Sequence, residues 1–446
     1  MRNFLFILTA LSLAACGSSF NGNNDNQQGG PVSCTNTGQK EFVLAAMQDW
    51  YLWNDLLPNN VNVDDHATPE DLLAYLTTFS PDDGTGQPTD VFSFINSAEA
   101  DAQFFGEGKF EGFGFSWRMV AADDVRLTRV FSGSPAAIEG LARGQRIVAL
   151  DGRSVAEIEA AEGMNAAFDT DPLEFTMRQT DGVTEFTVVI TKDIVTIDPV
   201  PQSRIIDAGG GRMVGYLELA TFVSTADPAL DTVFEQFNAA GVNDVIIDLR
   251  YNGGGLVSTA ELLGDFFGGD VAENLIFSKT NFNADRAADY NDIEFFDRLG
   301  NSVSLSRLVV IATRGTASAS ELVTNGMEPH VEVAIVGDRT FGKPVGQVGF
   351  EFCEKILRPT AFQTVNADDF GDYFDGLPVD CAAADDLNVP VGSDNDPNMI
   401  AALAYLDTGA CPVAAVPGSV SKPGVSRDMP RPDRHGPPWR EFAGAY

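Results

Sequence analysis

One arrangement narrows the possible folds of this sequence more than any other. A buried strand, a glycine-rich turn and a helix follow one another, and the unit is met twice. "DVIIDL" (244–249) is a near-continuous apolar run, as a parallel strand covered on both faces must be. "RYNGGG" then turns the chain, and "LVSTAELLGDFF" has helical spacing. The unit recurs as "LVVIAT" (308–313), "RGTAS" and "ASELVTNGM", and "VAIVGD" supplies a further strand. Alternating strands and helices call for a mostly parallel sheet with helices on its faces, so residues 197–412 read as an α/β domain.

The chain ahead of this domain has two other textures. "FVLAAMQDWYLW" (42–53) carries apolar residues at helical spacing, and "ATPEDLLAYL" offers Thr68 as a helix cap with Pro69 in the first turn. Residues 38–106 therefore read as a small helical domain, with Trp50, Tyr51 and Trp53 as its core. From "FEGFGFSW" onward short strands take over, through "LEFTMRQ" and "EFTVVITK". With "SPAAIEGLARGQRIVALDG" following in order, residues 107–196 resemble a PDZ domain. That resemblance implies that the loop Gly112, Phe113, Gly114, Phe115 holds a peptide's C-terminal carboxylate on its backbone amides. The bound peptide would add a strand to an exposed sheet edge, with Phe113 and Phe115 lining the pocket for its last residue.

At 446 residues the chain is long enough for three domains with cores of their own. Its formal net charge of -36 argues against a nucleic-acid partner, which wants clustered Lys and Arg. The first residues, "MRNFLFILTALSLAAC", have the charged start and short apolar run of an export signal. "LAAC" resembles a bacterial lipobox, which implies cleavage after residue 15 and a lipid anchor on Cys16. The alternative is ordinary cleavage without lipidation. With Gly17 rather than Asp next, the resemblance implies an exported, membrane-anchored lipoprotein of the periplasm, sorted to the outer membrane. Residues 16–37 read as a polar tether, and 413–446, rich in Pro and Gly, as a disordered tail. Cys34, Cys353, Cys381 and Cys411 remain for two disulfides, in any of three pairings. No metal-ligand spacing is present, and no cofactor is expected.

Within "TRGTASASEL" (313–322), two serines stand at the start of a helix behind a buried strand. A serine nucleophile needs a base. The chain has three histidines. His66 lies in the helical domain and His435 in the tail, while His330 is at the far end of the helix that Ser318 begins. Lysine is left. Lys343, in "RTFGKPVGQVGF", follows a strand end among backbone-bending residues. A free lysine has a pKa of about 10.4, and burial lowers it enough for a neutral amine to take a serine proton. Gln347 offers an oxygen to orient that amine.

"GTASASE", "DLRYNGGG" and "TFGKPVGQ", in this order, resemble the C-terminal processing (tail-specific) peptidases, family S41. The resemblance implies a multidomain α/β protein whose serine peptidase core is crotonase- or ClpP-like. It assigns the nucleophile to Ser318 rather than Ser320, the base to Lys343 and its orienter to Gln347. The oxyanion hole would be the amides of Ala319 and a glycine of the turn, Gly254. Two departures stand out. Many members have N-N-P-G-G where this chain has Tyr251-Asn252-Gly253-Gly254-Gly255, and F-G-K-G where it has Lys343-Pro344. The implied activity is serine endopeptidase cleavage of proteins or peptides with free C-termini, captured by the PDZ domain. The rival is a non-catalytic, peptide-binding lipoprotein on a peptidase-like scaffold. Two further patterns carry no chemistry. "SVSK" (419–422) lies in the tail, and "DNDPN" (394–398) reads as Asp396 capping a helix from Pro397 rather than as a calcium loop.

Overall fold

In the computed structural model, which describes residues 33–412, strand Asp244–Asp248 lies inside a six-stranded sheet. The expected Cys16 anchor, the export signal and the tail from 413 lie outside the described residues. The strand order is Gln202–Asp207, Met213–Glu218, Asp244–Asp248, Arg307–Ala312, Glu332–Gly337 and Cys381–Ala382. The first pairing is antiparallel and the rest are parallel. Side chains alternate between two cores. Val245, Ile247, Leu308 and Val310 meet helices Ala226–Ala239, Val257–Gly268 and Ala319–Met327. Ile246, Val309 and Ile311 meet helix Pro397–Thr408 on the other face. Both faces are dry, which is why these strands lack polar alternation. Each such side chain contributes roughly 1.5–3 kcal/mol by leaving water.

The last helix starts as its sequence implies. The Asp396 side chain accepts the Asn398 N–H at 3.0 Å, and Pro397 occupies the first turn. At the other end of the chain, helices Asn36–Trp50 and Pro69–Thr77 pack together, the second opened by a Thr68–Asp71 capping box. The Trp50, Tyr51, Trp53 cluster is not a private core, however. Tyr51 alone is fully buried. Trp50 instead packs on Phe282, Tyr290 and Phe350 of the α/β region, with the Arg286 guanidinium 4.4 Å from its ring centre. Strand Phe94–Ser97 also crosses over, pairing with Lys355–Arg358, which pairs in turn with Phe350–Phe352. A four-stranded sheet, Asp292–Phe295, Ile276–Phe282, Thr360–Val365 and Val345–Gln347, completes this side. Of the three possible cysteine pairings, the structure has Cys34–Cys353 and Cys381–Cys411.

The β domain is inserted through a two-stranded ribbon, Lys109–Gly112 against Asp193–Thr196. Its sheet runs Phe115–Ala121, Asp124–Val130, Arg146–Leu150, Leu173–Arg178, Glu185–Ile190, so Phe115–Ala121 is an edge strand. Phe113 and Phe115 are both 0% exposed and meet Phe175 edge to face in the domain's core. The expectation that these two rings line a ligand pocket is therefore corrected: the alternation that makes the loop turn also points them inward. Gly114, at φ 86°, presses on Ser134, where a Cβ would lie 2.1 Å from the Ser134 Cβ. The domain docks on the α/β region through Arg118 and Arg143, which both grip Asp385, at 2.8 and 2.7 Å.

Candidate active site

Three neighbouring parallel strands deliver the predicted residues from their carboxyl ends. The loop after Asp244–Asp248 carries the glycine turn, the loop after Arg307–Ala312 carries Ser318, and the loop after Glu332–Gly337 carries Lys343. Loops at this end of a parallel sheet converge, which is how residues 25 positions apart become neighbours. Cross-links hold the loops in place. Ala317 N–H donates to the Asn252 carbonyl at 3.0 Å, the Thr316 hydroxyl to the Leu249 carbonyl at 2.7 Å, and Phe341 N–H to the Thr316 carbonyl at 2.8 Å.

Ser318 stands just before helix Ala319–Met327, with φ 56° and ψ -117°. A non-glycine residue there costs on the order of 1–3 kcal/mol and must be held by its surroundings. The holder is Glu321, a residue that sequence reasoning passed over. Its Oε2 accepts the Ser318 N–H at 2.9 Å and the Lys343 N–H at 2.8 Å. Its Oε1 accepts the Gly342 N–H at 2.7 Å and the Thr340 hydroxyl. Glu321 is wholly buried, which pushes its carboxyl above the ordinary range while the four donors pull the other way. The signal was available: a Glu three residues after a Ser at a helix start is a capping box, and here one carboxylate caps the serine loop and the lysine loop together.

The two serines part company. Ser320 is fully buried, and its hydroxyl donates to the Asn252 carbonyl at 3.1 Å, a structural post. Ser318 is partly exposed. Lys343 is half-buried, and its Nζ donates to Gln347 Oε1 at 3.0 Å. The pairing register of strand Val345–Gln347 shifts at its last step, between Gly346 and Gln347, and Gln347 reaches Lys343 despite the four-residue gap. His330 lies away from these groups, its Nε2 2.8 Å from the Ile276 carbonyl and its ring against Phe296.

Gly254 has φ 97° and fits tightly. A Cβ there would lie 2.8 Å from the Ala317 carbonyl oxygen and from the Ser318 Cβ, and 2.9 Å from the Ala319 nitrogen. Only glycine brings the turn this close to the serine. The Gly254 N–H donates to Asn252 Oδ1 at 2.9 Å, while Asn252 Nδ2 donates to the Leu219 carbonyl at 2.8 Å. One predicted oxyanion donor thus sits beside Ser318 but is engaged by its own loop. Behind the turn, buried Arg250 bridges Asp248 and Asp396, at 2.5 and 2.6 Å.

Comparison with known proteins follows the same residues. Residues 38–94 match the peptidase S41 N-terminal domain and residues 213–369 match peptidase family S41. The carboxyl-terminal-processing protease of Synechocystis is 28% identical over 236 residues, 52% of this chain and 52% of that protein. That of Bartonella bacilliformis is 26% identical over 269 residues, 58% of this chain and 59% of its own. The C-terminal processing peptidase of Tetradesmus obliquus chloroplasts is 30% identical over 49% of this chain and 48% of that one. The chain therefore aligns with about half the length of these relatives. Among solved structures, one described as an S41 protease of Bacteroides fragilis superposes with a TM-score of 0.63, covering 82% of this chain and 97% of the other at 24% identity. The photosystem II D1 C-terminal processing protease gives 0.53, over 85% and 99%, at 20% identity. At these identities the likeness is one of fold.

Proposed function

Because this chain belongs to peptidase family S41, we propose that it is a serine endopeptidase of the C-terminal processing type, working through a Ser318–Lys343 dyad. The observation that carries the reading is the shared carboxylate. Glu321 binds the backbone of both residues, so nucleophile and base are set by one anchor. The neutral Lys343 amine takes the Ser318 proton as the hydroxyl attacks a peptide carbonyl, then returns it to the leaving amine. Gln347 Oε1 holds one amine hydrogen and so aims the lone pair. The Ala319 amide, at the helix N-terminus, meets the oxyanion. The Gly254 amide joins it when Asn252 releases its hold, and each donor is worth about 3 kcal/mol. No metal or organic cofactor enters this scheme.

The substrate class follows from the β domain. Its edge strand and the Gly112–Phe115 amides suit a free C-terminal segment added as a strand, and the Lys192 ammonium, 5.3 Å from the Phe113 ring centre, adds positive charge beside that loop. Export suits the two disulfides, which persist in oxidising compartments, and Cys16 is the proposed lipid anchor to the outer membrane.

Incubation with unfolded proteins and a fluorophosphonate probe tests the chemistry. Ser318→Ala and Lys343→Ala are expected to abolish hydrolysis in a folded protein, while Ser320→Ala keeps measurable activity. No hydrolysis and no labelling of the wild type would favour the non-catalytic peptide binder. A rate peaking near pH 5 instead of rising toward alkaline pH would count against a lysine base. Amidated and free-acid peptides, offered to Ser318→Ala, are expected to differ by about 1–3 kcal/mol in binding. Equal affinities would remove carboxylate capture. Cys16→Ser is expected to leave the membrane fraction, and a wholly soluble wild type would remove the anchor.

A further inference from the structure

Behind Lys343 stands a residue from the other end of the chain. Phe92 lies in the loop between helix Pro69–Thr77 and strand Phe94–Ser97, two positions before the end of the matched N-terminal domain. It makes two contacts with the proposed base system. Its carbonyl accepts Gln347 Nε2–H at 2.6 Å. Its ring faces the Lys343 Nζ, 5.4 Å from the ring centre. Phe92 is 4% exposed and packs with Ala317, Phe341 and Val345, the residues flanking the serine and the lysine.

The loop is built to hold this residue still. Asp90 Oδ1 accepts the Phe92 N–H at 2.9 Å and the Ser93 N–H at 3.0 Å. The same carboxylate accepts the Thr360 hydroxyl at 2.9 Å, and the Ser93 hydroxyl accepts the Thr360 N–H at 2.9 Å. Thr360 begins the strand that pairs with Val345–Gln347. Phe92 is therefore pinned to the sheet that carries Gln347.

We propose that Phe92 is a positioning residue of the Ser318–Lys343 dyad, supplied by the N-terminal domain. Its carbonyl fixes the Gln347 amide so that oxygen, not nitrogen, faces the lysine. Its ring face receives the ammonium formed when Ser318 gives up its proton. A neutral amine gains little from an aromatic face and an ammonium gains much, so the contact strengthens as the proton moves. The inference rests on the dyad reading. It makes the helical domain part of the catalytic apparatus rather than a cover for it.

The experiment is the pH profile of kcat/KM for peptide hydrolysis by the full chain. Phe92→Leu keeps apolar bulk and the carbonyl but removes the ring face. Pentafluorophenylalanine in place of Phe92 keeps the shape and inverts the face's charge, so it reads the same effect if the leucine variant folds poorly. The charged and titratable side chains on the elements around Lys343 are Glu321, Tyr373, Arg314, Asp90 and Tyr51, and both substitutions leave them in place. The plateau is expected to fall roughly two- to thirtyfold, with the acidic limb moving down by about 0.4 to 1.5 pH units and KM unchanged. Lost packing alone would lower the plateau without moving the limb. A limb that superposes on the wild type in the fluorinated protein, or a rise in KM with kcat intact, would overturn the proposal. Lys343→Ala run alongside separates the two claims. If it stays active, the dyad reading fails and takes this one with it. If it is dead while the limb stays put, Phe92 alone is excluded.

Discussion

Four donors end on the Glu321 carboxylate. Replacing it with Gln keeps the size but turns an amide hydrogen toward groups that are themselves donors. Each broken charge-assisted bond is worth about 1.5–3 kcal/mol. Glu321→Gln is therefore expected to lose at least ~100-fold in peptide hydrolysis and to melt lower, with Glu321→Ala worse in both, read by rate assay and circular dichroism. Gly254→Ala is the steric counterpart. At φ 97° with the Ser318 Cβ 2.8 Å from the new methyl, it is expected to lose activity on the order of 100-fold. Wild-type rates in either variant would show that these contacts do not set the active geometry. At this scale the sequence was legible in placement: Ser318, Lys343 and Gln347, picked out by short local patterns, stand together at one end of the sheet. The sequence separated Ser320 from Ser318 only through the resemblance; in the structure Ser320 is the buried one, bonded to the Asn252 carbonyl. Phe92 was not legible, because a phenylalanine in a loop carries no sign of a partner 251 positions later.

Helix Val257–Gly268 and strand Asp292–Phe295 meet across a patch of like charge. Burial pushes Glu261 up to about 7, with Glu294, Asp265 and Asp292 adding to it. Burial likewise pushes Asp265 up to about 6. A carboxyl whose folded pKa lies above its unfolded value is stabilising while protonated, and that contribution is lost as pH rises through the folded pKa. The penalty therefore appears between about pH 5 and 7 and is full above it. Glu261→Gln is expected to raise the melting temperature at pH 8, by about 1 kcal/mol equivalent, and to change little at pH 5. An equal gain at both pH values would exclude the linkage. The element boundaries of the α/β region were readable because two-sided burial writes long apolar strands and glycine turns. The seam at Trp50 was not, since an amphipathic helix looks alike whether its apolar face meets its own domain or the next.

Across the whole molecule, both connections to the β domain run side by side in one ribbon, with Gly112 opposite Asp193. Residues 113–192 can be replaced by a two-residue Asn-Gly turn that closes the ribbon as a hairpin. The rest is expected to fold, but less stably, because Asp385 loses Arg118 and Arg143 and Glu218 loses Arg129. In the intact chain, burial would raise the Asp385 carboxyl, but Arg118, Arg143 and Arg250 together hold it well below the usual range. That contribution is present above the ordinary carboxylate pKa and fades only in strong acid. Adding Asp385→Asn to the deletion is expected to recover part of the loss in calorimetry. No recovery would mean the docking face is not electrostatic.

The Cys34–Cys353 bridge has a mechanical meaning. Cys34 precedes the first helix, and Cys353 sits at the tip of the hairpin between Phe350–Phe352 and Lys355–Arg358. A pull on the chain ahead of residue 34 is carried by sulfur straight into that hairpin, and from there into strand Phe94–Ser97 beside it. Helix Asn36–Trp50 is bypassed and bears no load. With the bridge reduced, the same pull would unwind that helix first, one turn after another, and only then reach the sheet.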